Sequence, residues 1–126
     1  MERKITSVGA LMGVTAIIFG AFGAHALKKR MSDDLLKSFE TGVKYQMYHA
    51  LALLLLPQLI PFQTGLEQSI GWCFIVGTLL FSFSIYGLCI TSMSGNKWRF
   101  LGPITPLGGL LLVTGWITLL FSVYKI

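Results

Sequence analysis

Five polar side chains that could bind a ligand or a proton lie near the ends of long apolar segments. They are His25, Tyr45, Gln46, His49 and Thr105. Tyr45 and His49 are four residues apart and therefore share one face of a helix. The direction of the apolar segments brings all five to a similar depth on one side of a membrane. They are predicted to form either a proton-linked or ligand-binding cluster, or a hydrogen-bonded knot that locks the helices together.

Metal and cofactor chemistry finds little support in the spacing. His25 and His49, with Cys89 or Glu40, would have to converge from different helices, whereas a zinc-binding helix carries its ligands one turn apart. Two histidines on neighbouring helices could also ligate a haem, but nothing in their spacing requires it. No serine–histidine–acid set and no phosphate loop can be picked out. We therefore predict no metal, no cofactor and no enzymatic activity.

Long neutral segments must position these side chains. Hydrophobic residues make up 54% of the 126 residues and charged residues only 12%, which is about half the charged share of a soluble domain. A helix of about 20 apolar residues crosses a bilayer. The pattern predicts an all-α polytopic membrane protein with a single domain, residues 1–126. The fold would be a four-transmembrane-helix bundle with spans at about 5–27, 45–60, 69–93 and 100–124.

A short amphipathic segment, residues 32–44, is predicted between the first two spans. Ser32 suits an N-cap, and Asp33 and Asp34 suit the first turn of a helix. Apolar residues then recur at helical spacing with charges on the other faces, which is typical of a helix at a membrane surface. The segment either runs without a break into the second span or bends at Gly42.

Two sets of small residues are predicted to let helices approach closely. They are Gly9, Gly13, Ala16, Gly20 and Gly23 in the first span and Gly108 and Gly115 in the fourth. Each set falls on one face of its helix. Because these glycine faces outnumber what one bundle needs, we predict a homo-oligomer.

The basic residues indicate a membrane partner rather than nucleic acid. The net charge is +5, and the Lys and Arg side chains sit at the ends of the apolar spans. The first and third loops hold seven of them, while the termini and the second loop hold three. This excess predicts that those two loops are cytoplasmic and that the N- and C-termini lie outside. The predicted partners are the lipid bilayer and its anionic lipid headgroups.

Four motifs in order resemble one family. They lie at residues 20–25 (GAFGAH), 41–51 (TGVKYQMYHAL), 80–86 (LFSFSIY) and 102–109 (GPITPLGG), followed by Gly115-Trp116. The resemblance is to the small four-span membrane protein family catalogued as domain of unknown function 423, with YgdD-like, YwdK-like and transmembrane protein 256-like members. It implies a protein of the bacterial cytoplasmic (inner) membrane and supplies no reaction.

Two functions are therefore compatible with the sequence. The first is a non-enzymatic structural or membrane-integrity component, in which the polar side chains lock the bundle. The alternative is a small-molecule, lipid or ion-binding carrier that uses the cytoplasmic-side polar cluster of His25, Tyr45, Gln46 and His49.

Overall fold

A computed structural model describes residues 1–125, and these residues form an all-helical fold. Within them the four α-helices are α1 (Glu2–His25), α2 (Asp33–Leu59), α3 (Gly65–Met93) and α4 (Ile104–Lys125). One turn of 3₁₀ helix precedes α2 and another precedes α4. No strand occurs among the described residues, so the predicted all-α class is confirmed.

Three segments of the described chain are long and apolar enough to cross a bilayer: Glu2–Lys29, Gly65–Met93 and Arg99–Tyr124. Large apolar side chains such as Leu11 and Phe121 are exposed on their outer faces. Contiguous exposed apolar surface of this kind is expected where lipid replaces water. α2 does not meet the same criterion of length and hydropathy.

α2 is a single helix that joins the predicted amphipathic segment to the predicted second span. Its N-cap is Ser32, whose hydroxyl accepts a hydrogen bond from the N–H of Leu35 at 3.3 Å. The helix does not break at Gly42. A Cβ at Gly42 would lie 2.8 Å from Cε1 of Tyr86. The glycine therefore serves the close approach of α3 rather than a bend in α2.

The helices pack mainly in the order of the chain, α1 on α2, α2 on α3 and α3 on α4. α3 and α4 approach each other closely at Gly108, where a Cβ would lie 2.3 Å from the backbone nitrogen of Phe81 and 2.8 Å from the carbonyl oxygen of Gly77. Gly115 lies under the Phe74 ring, and a Cβ at Gly115 would be only 2.8 Å from that ring. These two glycines of α4 therefore face α3 of the same chain.

The small residues of α1 lie largely against α2. A Cβ at Gly9 would come within 3.0 Å of the carbonyl oxygen of Ala50, and a Cβ at Gly23 within 2.9 Å of the Phe39 ring. A Cβ at Gly20 would lie 3.4 Å from the nearest side-chain atom of α2. The stripe thus accommodates a neighbouring helix of its own chain.

Ala16 and Gly13 are the two remaining small residues of this α1 stripe. Ala16 is buried, whereas a Cβ at Gly13 would meet no atom within 4 Å beyond its own part of α1 among the described residues. Because most of the stripe is covered within the chain, it no longer argues by itself for a second copy. The homo-oligomer stays a prediction, with Gly13 as the open position.

Two apolar clusters fill the interior, one toward each end of the bundle. The first includes Leu53 and Phe74, and the second includes Phe39 and Tyr86. Along α2 and α3, buried polar residues lie between the two clusters. They are Gln46, His49, Thr78, Ser82 and Ser84. A polar group in such a place is costly without a partner, so this layer fixes how the helices sit against one another.

Candidate functional site

Gln46 occupies the centre of the bundle and is 0% exposed. Its Nε2 donates to the carbonyl oxygen of Met12 at 2.9 Å and to Oγ1 of Thr15 at 2.6 Å, both on α1. Its Oε1 accepts a hydrogen bond from the Tyr86 hydroxyl on α3 at 2.7 Å. The amide thereby uses both of its N–H groups and its oxygen, and it joins α2 to two other helices.

Ser82 adds a second polar link between α2 and α3. Its hydroxyl donates to the carbonyl oxygen of Gly42 at 2.7 Å, one turn before Gln46 on α2. Thr78 lies one turn from Ser82 on α3. Its Oγ1 is buried and has no hydrogen-bond partner among residues 1–125.

His49 follows Gln46 by less than one turn but faces α4. Its Nε2 accepts a hydrogen bond from the indole Nε1 of Trp116 at 3.0 Å. Its Nδ1 lies 2.7 Å from the carbonyl oxygen of Tyr45. Because Nε2 is the acceptor, Nδ1 carries the proton and donates it, so the ring is the neutral tautomer with both nitrogens engaged. The Phe74 and Trp116 rings enclose it, with centroids 5.4 and 5.9 Å away.

These hydrogen bonds connect α2 to each of the other three helices. We call Gln46 and His49, with their side-chain partners Thr15, Tyr86 and Trp116, the polar clamp. Neither nitrogen of His49 is left to act as a base or to bind a metal. Chemically, the clamp is suited to holding helices in place.

The structure does not bring His25 to the clamp. α1 and α2 run antiparallel, with Gly9 level with Ala50 and Gly23 level with Phe39. Phe39 lies about 15 Å from His49 along the axis of α2, and His25 lies beyond the level of Phe39. The ring of His25 is exposed at the end of α1.

The side chains of Tyr45 and Thr105 make none of the clamp hydrogen bonds. The Tyr45 carbonyl accepts a hydrogen bond from Nδ1 of His49. The Tyr45 ring is partly exposed, stacks beside the His49 ring at a centroid distance of 6.5 Å and packs on Phe81 at 4.9 Å. Thr105 lies near the start of α4, where its hydroxyl is hydrogen-bonded to that of Ser84 on α3. The five predicted site residues therefore do not form one cluster. Gln46 and His49 belong to the clamp and Tyr45 lies beside it, whereas Thr105 lies near the start of α4 and His25 is exposed at the end of α1.

Thr15, Tyr86 and Trp116 were missed as functional residues. A signal for two of them is present in the sequence. Tyr and Trp usually lie at the membrane interface, where water can reach their polar atoms. Deep in an apolar segment, an indole N–H or a phenol O–H must find a protein partner. Their position therefore indicates a hydrogen bond, although it does not name the acceptor.

Metal-binding and redox side chains are scattered. Among residues 1–125, no group of three or more His, Cys, Asp or Glu side chains is close enough to hold a metal ion. Cys73 and Cys89 are both free thiols. The Cys89 thiol lies 3.4 Å from the carbonyl oxygen of Leu35, which is the contact of a packed thiol rather than of a reactive one.

Comparison with known proteins places the chain in a family. The profile described as "Protein of unknown function (DUF423)" matches residues 19–109. These residues include all of α2 and α3 and the contact between Gly77 and Gly108. The chain belongs to this family. The resemblance carried by the four sequence motifs is thereby confirmed.

Relatives of similar length carry the name UPF0382 membrane protein. One from Schizosaccharomyces pombe is 44% identical over 117 residues, which is 92% of this chain and 98% of the relative. One from Staphylococcus haemolyticus is 40% identical over 119 residues, 94% and 93% of the two chains. YwdK of Bacillus subtilis is 38% identical over 120 residues, 94% of each. No solved structure matches the chain. These names and the apolar helices identify a helical membrane protein.

Proposed function

We propose that the protein is a non-enzymatic structural component that supports membrane integrity, and that the polar clamp keeps its helices in one arrangement. One observation carries the proposal. Both ring nitrogens of His49 and both polar atoms of the Gln46 side chain are hydrogen-bonded within the protein. Donors and acceptors of a catalytic or transport site must be free to meet a substrate. In the clamp they meet other helices, which favours a structural role.

The alternative, a carrier for a small molecule, a lipid or an ion, receives less support from this cluster. Cargo that bound His49 would first have to displace the indole of Trp116 or the carbonyl of Tyr45. His25, whose ring is exposed, lies too far along the bundle to share such a site with His49.

We propose four membrane spans, with α2 supplying the second. The hydropathy of α2 is lowered by residues such as Gln46 and His49, and these side chains face other helices rather than lipid. A polar residue that is satisfied inside the protein does not prevent a helix from crossing the bilayer. The first part of α2, with charges at Lys37, Glu40 and Lys44, would lie at the cytoplasmic surface.

The distribution of basic residues indicates which side of the membrane each end of the bundle faces. Seven basic residues in the first and third loops and the first part of α2 favour a cytoplasmic location for these segments and an outward location for both termini. Anionic headgroups would then be the neighbours of these loops. Staphylococcal and Bacillus relatives support a bacterial cytoplasmic membrane. The fission yeast relative shows that such proteins also occur outside bacteria.

Self-association is the remaining part of the proposal. The outer faces of α1 and α4 carry large exposed apolar side chains, and Gly13 leaves room for a close neighbour on α1. A second copy of the chain would fit such a surface. Chemical cross-linking in native membranes, read as the ratio of dimer to monomer, tests this part alone.

The structural role is tested by relating function to the amount of folded protein. In cells that lack the chain, we expect increased leakage of a membrane-impermeant dye, which the wild-type chain reverses. His49→Ala should lower both the folded amount and the protection in the same proportion, because its defect is one of stability. Protection per folded molecule should therefore stay at the wild-type level.

Trp72→Phe is the matched control, because Trp72 is exposed on α3 and lies outside the clamp. It should leave both quantities unchanged. If His49→Ala accumulated as folded protein at the wild-type level and still gave no protection, His49 would act chemically and the structural proposal would be wrong.

A further inference from the structure

An open groove of about 460 Å³ lies at the end of the bundle that carries the basic loops. Leu35, Ser38 and Thr41 of α2 form one wall. Ile85, Leu88 and Ser92 are among the α3 residues of its floor, and Thr105 and Pro106 at the start of α4 form the other wall. We call this feature the interfacial groove. Its volume lies within the range of about 300 to 1,000 Å³ that is usual for ligand sites.

The groove exists because α2 and α4 both pack on α3 and meet each other chiefly through the clamp. At the level of Ser38 and Thr105, α2 and α4 leave a gap between them, and α3 forms the floor of this gap. A gap between two membrane helices opens sideways toward lipid. The groove is therefore reachable both from the bilayer and from its surface.

The lining combines an apolar floor with a polar, positively charged rim. Leu35, Ile85 and Leu88 supply apolar contact. Ser38 and Ser92 supply hydroxyl groups, and Lys97 is the charged side chain among the lining residues. None of the groove-lining residues that the structure describes carries a carboxylate. An ammonium with hydroxyl donors beside it suits a phosphate group, and the apolar floor suits the start of an acyl chain.

The position of Lys97 matches the headgroup level of a membrane. It lies in the turn between α3 and α4, next to Trp98. Trp98 stacks on Phe100 at a centroid distance of 5.8 Å, and both rings are exposed. Exposed aromatic rings beside a basic residue at the end of an apolar helix are typical of the membrane interface. The surrounding segments, residues 28–44 and 97–99, hold seven basic residues against three acidic ones.

We propose that the interfacial groove binds one anionic phospholipid. Its phosphate lies against Lys97 and the hydroxyls of Ser38 and Ser92, and the first part of an acyl chain runs over Leu35 and Leu88. The groove shares no residue with the polar clamp, so this inference does not rest on the proposed structural role. Removing a lipid-contacting charge leaves the clamp hydrogen bonds in place.

Binding is tested with the purified full-length chain in detergent. Native mass spectrometry counts retained lipid after addition of dioleoyl-phosphatidylglycerol or, separately, of dioleoyl-phosphatidylcholine. We expect one phosphatidylglycerol to be retained in preference to phosphatidylcholine. Glycerol 3-phosphate and inorganic phosphate serve as soluble probes and should be retained by neither the wild type nor any variant. Equal retention of phosphatidylcholine, or retention of a soluble phosphate instead of the lipid, would overturn the proposal.

Two variants that each lose one positive charge distinguish a specific lipid-binding site from nonspecific electrostatic attraction of anionic lipid. Lys97→Gln should reduce phosphatidylglycerol retention by about fivefold or more. Lys37→Gln removes an exposed charge from the same end of the bundle, outside the groove lining, and should change retention by less than about twofold. Equal reductions in the two variants would mean diffuse attraction and would refute the site.

A third variant tests the place of binding. Ser38 is exposed on α2, so Ser38→Phe should fold with a wild-type melting temperature in lipid-free detergent while its ring fills the groove. It should retain no phosphatidylglycerol. Full retention by a folded Ser38→Phe would place the lipid elsewhere. If Ser38→Phe did not fold, the comparison of Lys97→Gln with Lys37→Gln would decide.

Discussion

The indole N–H of Trp116 donates a hydrogen bond to Nε2 of His49, and this 3.0 Å contact ties α4 directly to α2. α4 otherwise packs chiefly on α3. Trp116 is about half exposed on the outer surface of the bundle, where lipid offers no substitute for either partner. The pair therefore fixes the rotation of α4 about its axis, because only one face of the helix carries Trp116 toward His49.

Trp116→Phe should lower the free energy of unfolding by about 0.6 kcal/mol and by no more than about 1.7 kcal/mol, the average and the maximum measured for single polar contacts between membrane helices. Phenylalanine keeps an aromatic ring against Phe74 but leaves Nε2 of His49 without a donor. Thermal unfolding in detergent measures the change. Trp72→Phe removes an exposed indole from α3 and should have no effect. Equal losses in both variants would show that the indole N–H of Trp116 contributes nothing.

Gln46 and Tyr86 form a buried pair suited to a double-mutant cycle. Gln46→Leu leaves the Tyr86 hydroxyl unpaired, and Tyr86→Phe leaves Oε1 of Gln46 unpaired, so each should cost about 1 to 3 kcal/mol. The double variant removes both polar groups and should cost clearly less than the sum of the two. Tyr48→Phe, at an exposed tyrosine, is the neutral control. Strictly additive losses would contradict a direct bond between the pair.

The local features of the fold could be predicted from the sequence because they depend on neighbouring residues. Ser32 with Asp33 and Asp34 marks the start of α2, and the structure places the N-cap there. Long neutral segments predict helices in lipid. The small residues at Gly9 and Gly23 predict close approach of another helix, which the structure identifies as α2 of the same chain.

The direction of each polar side chain could not be predicted, because it depends on the register between helices far apart in sequence. Gln46 and His49 are only three residues apart, which turns them about 60° on the helix. Since three helices surround α2 at this level, that rotation is enough to send Gln46 to α1 and α3 and His49 to α4. The same limit explains why His25 was expected at the depth of His49. The sequences of α1 and α2 do not determine how far one helix is shifted along the other.

Lys29 and Gln63 flank α2, so their accessibility tests whether α2 crosses the membrane. In a chain with Cys73→Ser and Cys89→Ser, we expect a membrane-impermeant maleimide added to whole cells to label Gln63→Cys and not Lys29→Cys. Both sites are exposed and should react after the membrane is opened. Labelling of both from outside would mean that α2 does not cross. Labelling of Lys29→Cys alone would reverse the proposed orientation.

Gly108 and Gly13 receive the same substitution in opposite surroundings. Gly108→Ala places a Cβ 2.3 Å from the Phe81 backbone nitrogen, and backbone atoms cannot rotate aside. The substitution should separate α3 from α4 and lower the free energy of unfolding by about 2 to 3 kcal/mol. Gly13→Ala meets no atom within 4 Å beyond its own part of α1 among the described residues, and it should leave the free energy of unfolding unchanged or slightly raised. Unfolding in detergent compares the two. A wild-type melting temperature for Gly108→Ala would mean that the helices do not touch there. If Gly13→Ala proved as harmful as Gly108→Ala, a second copy of the chain would have to cover that face of α1.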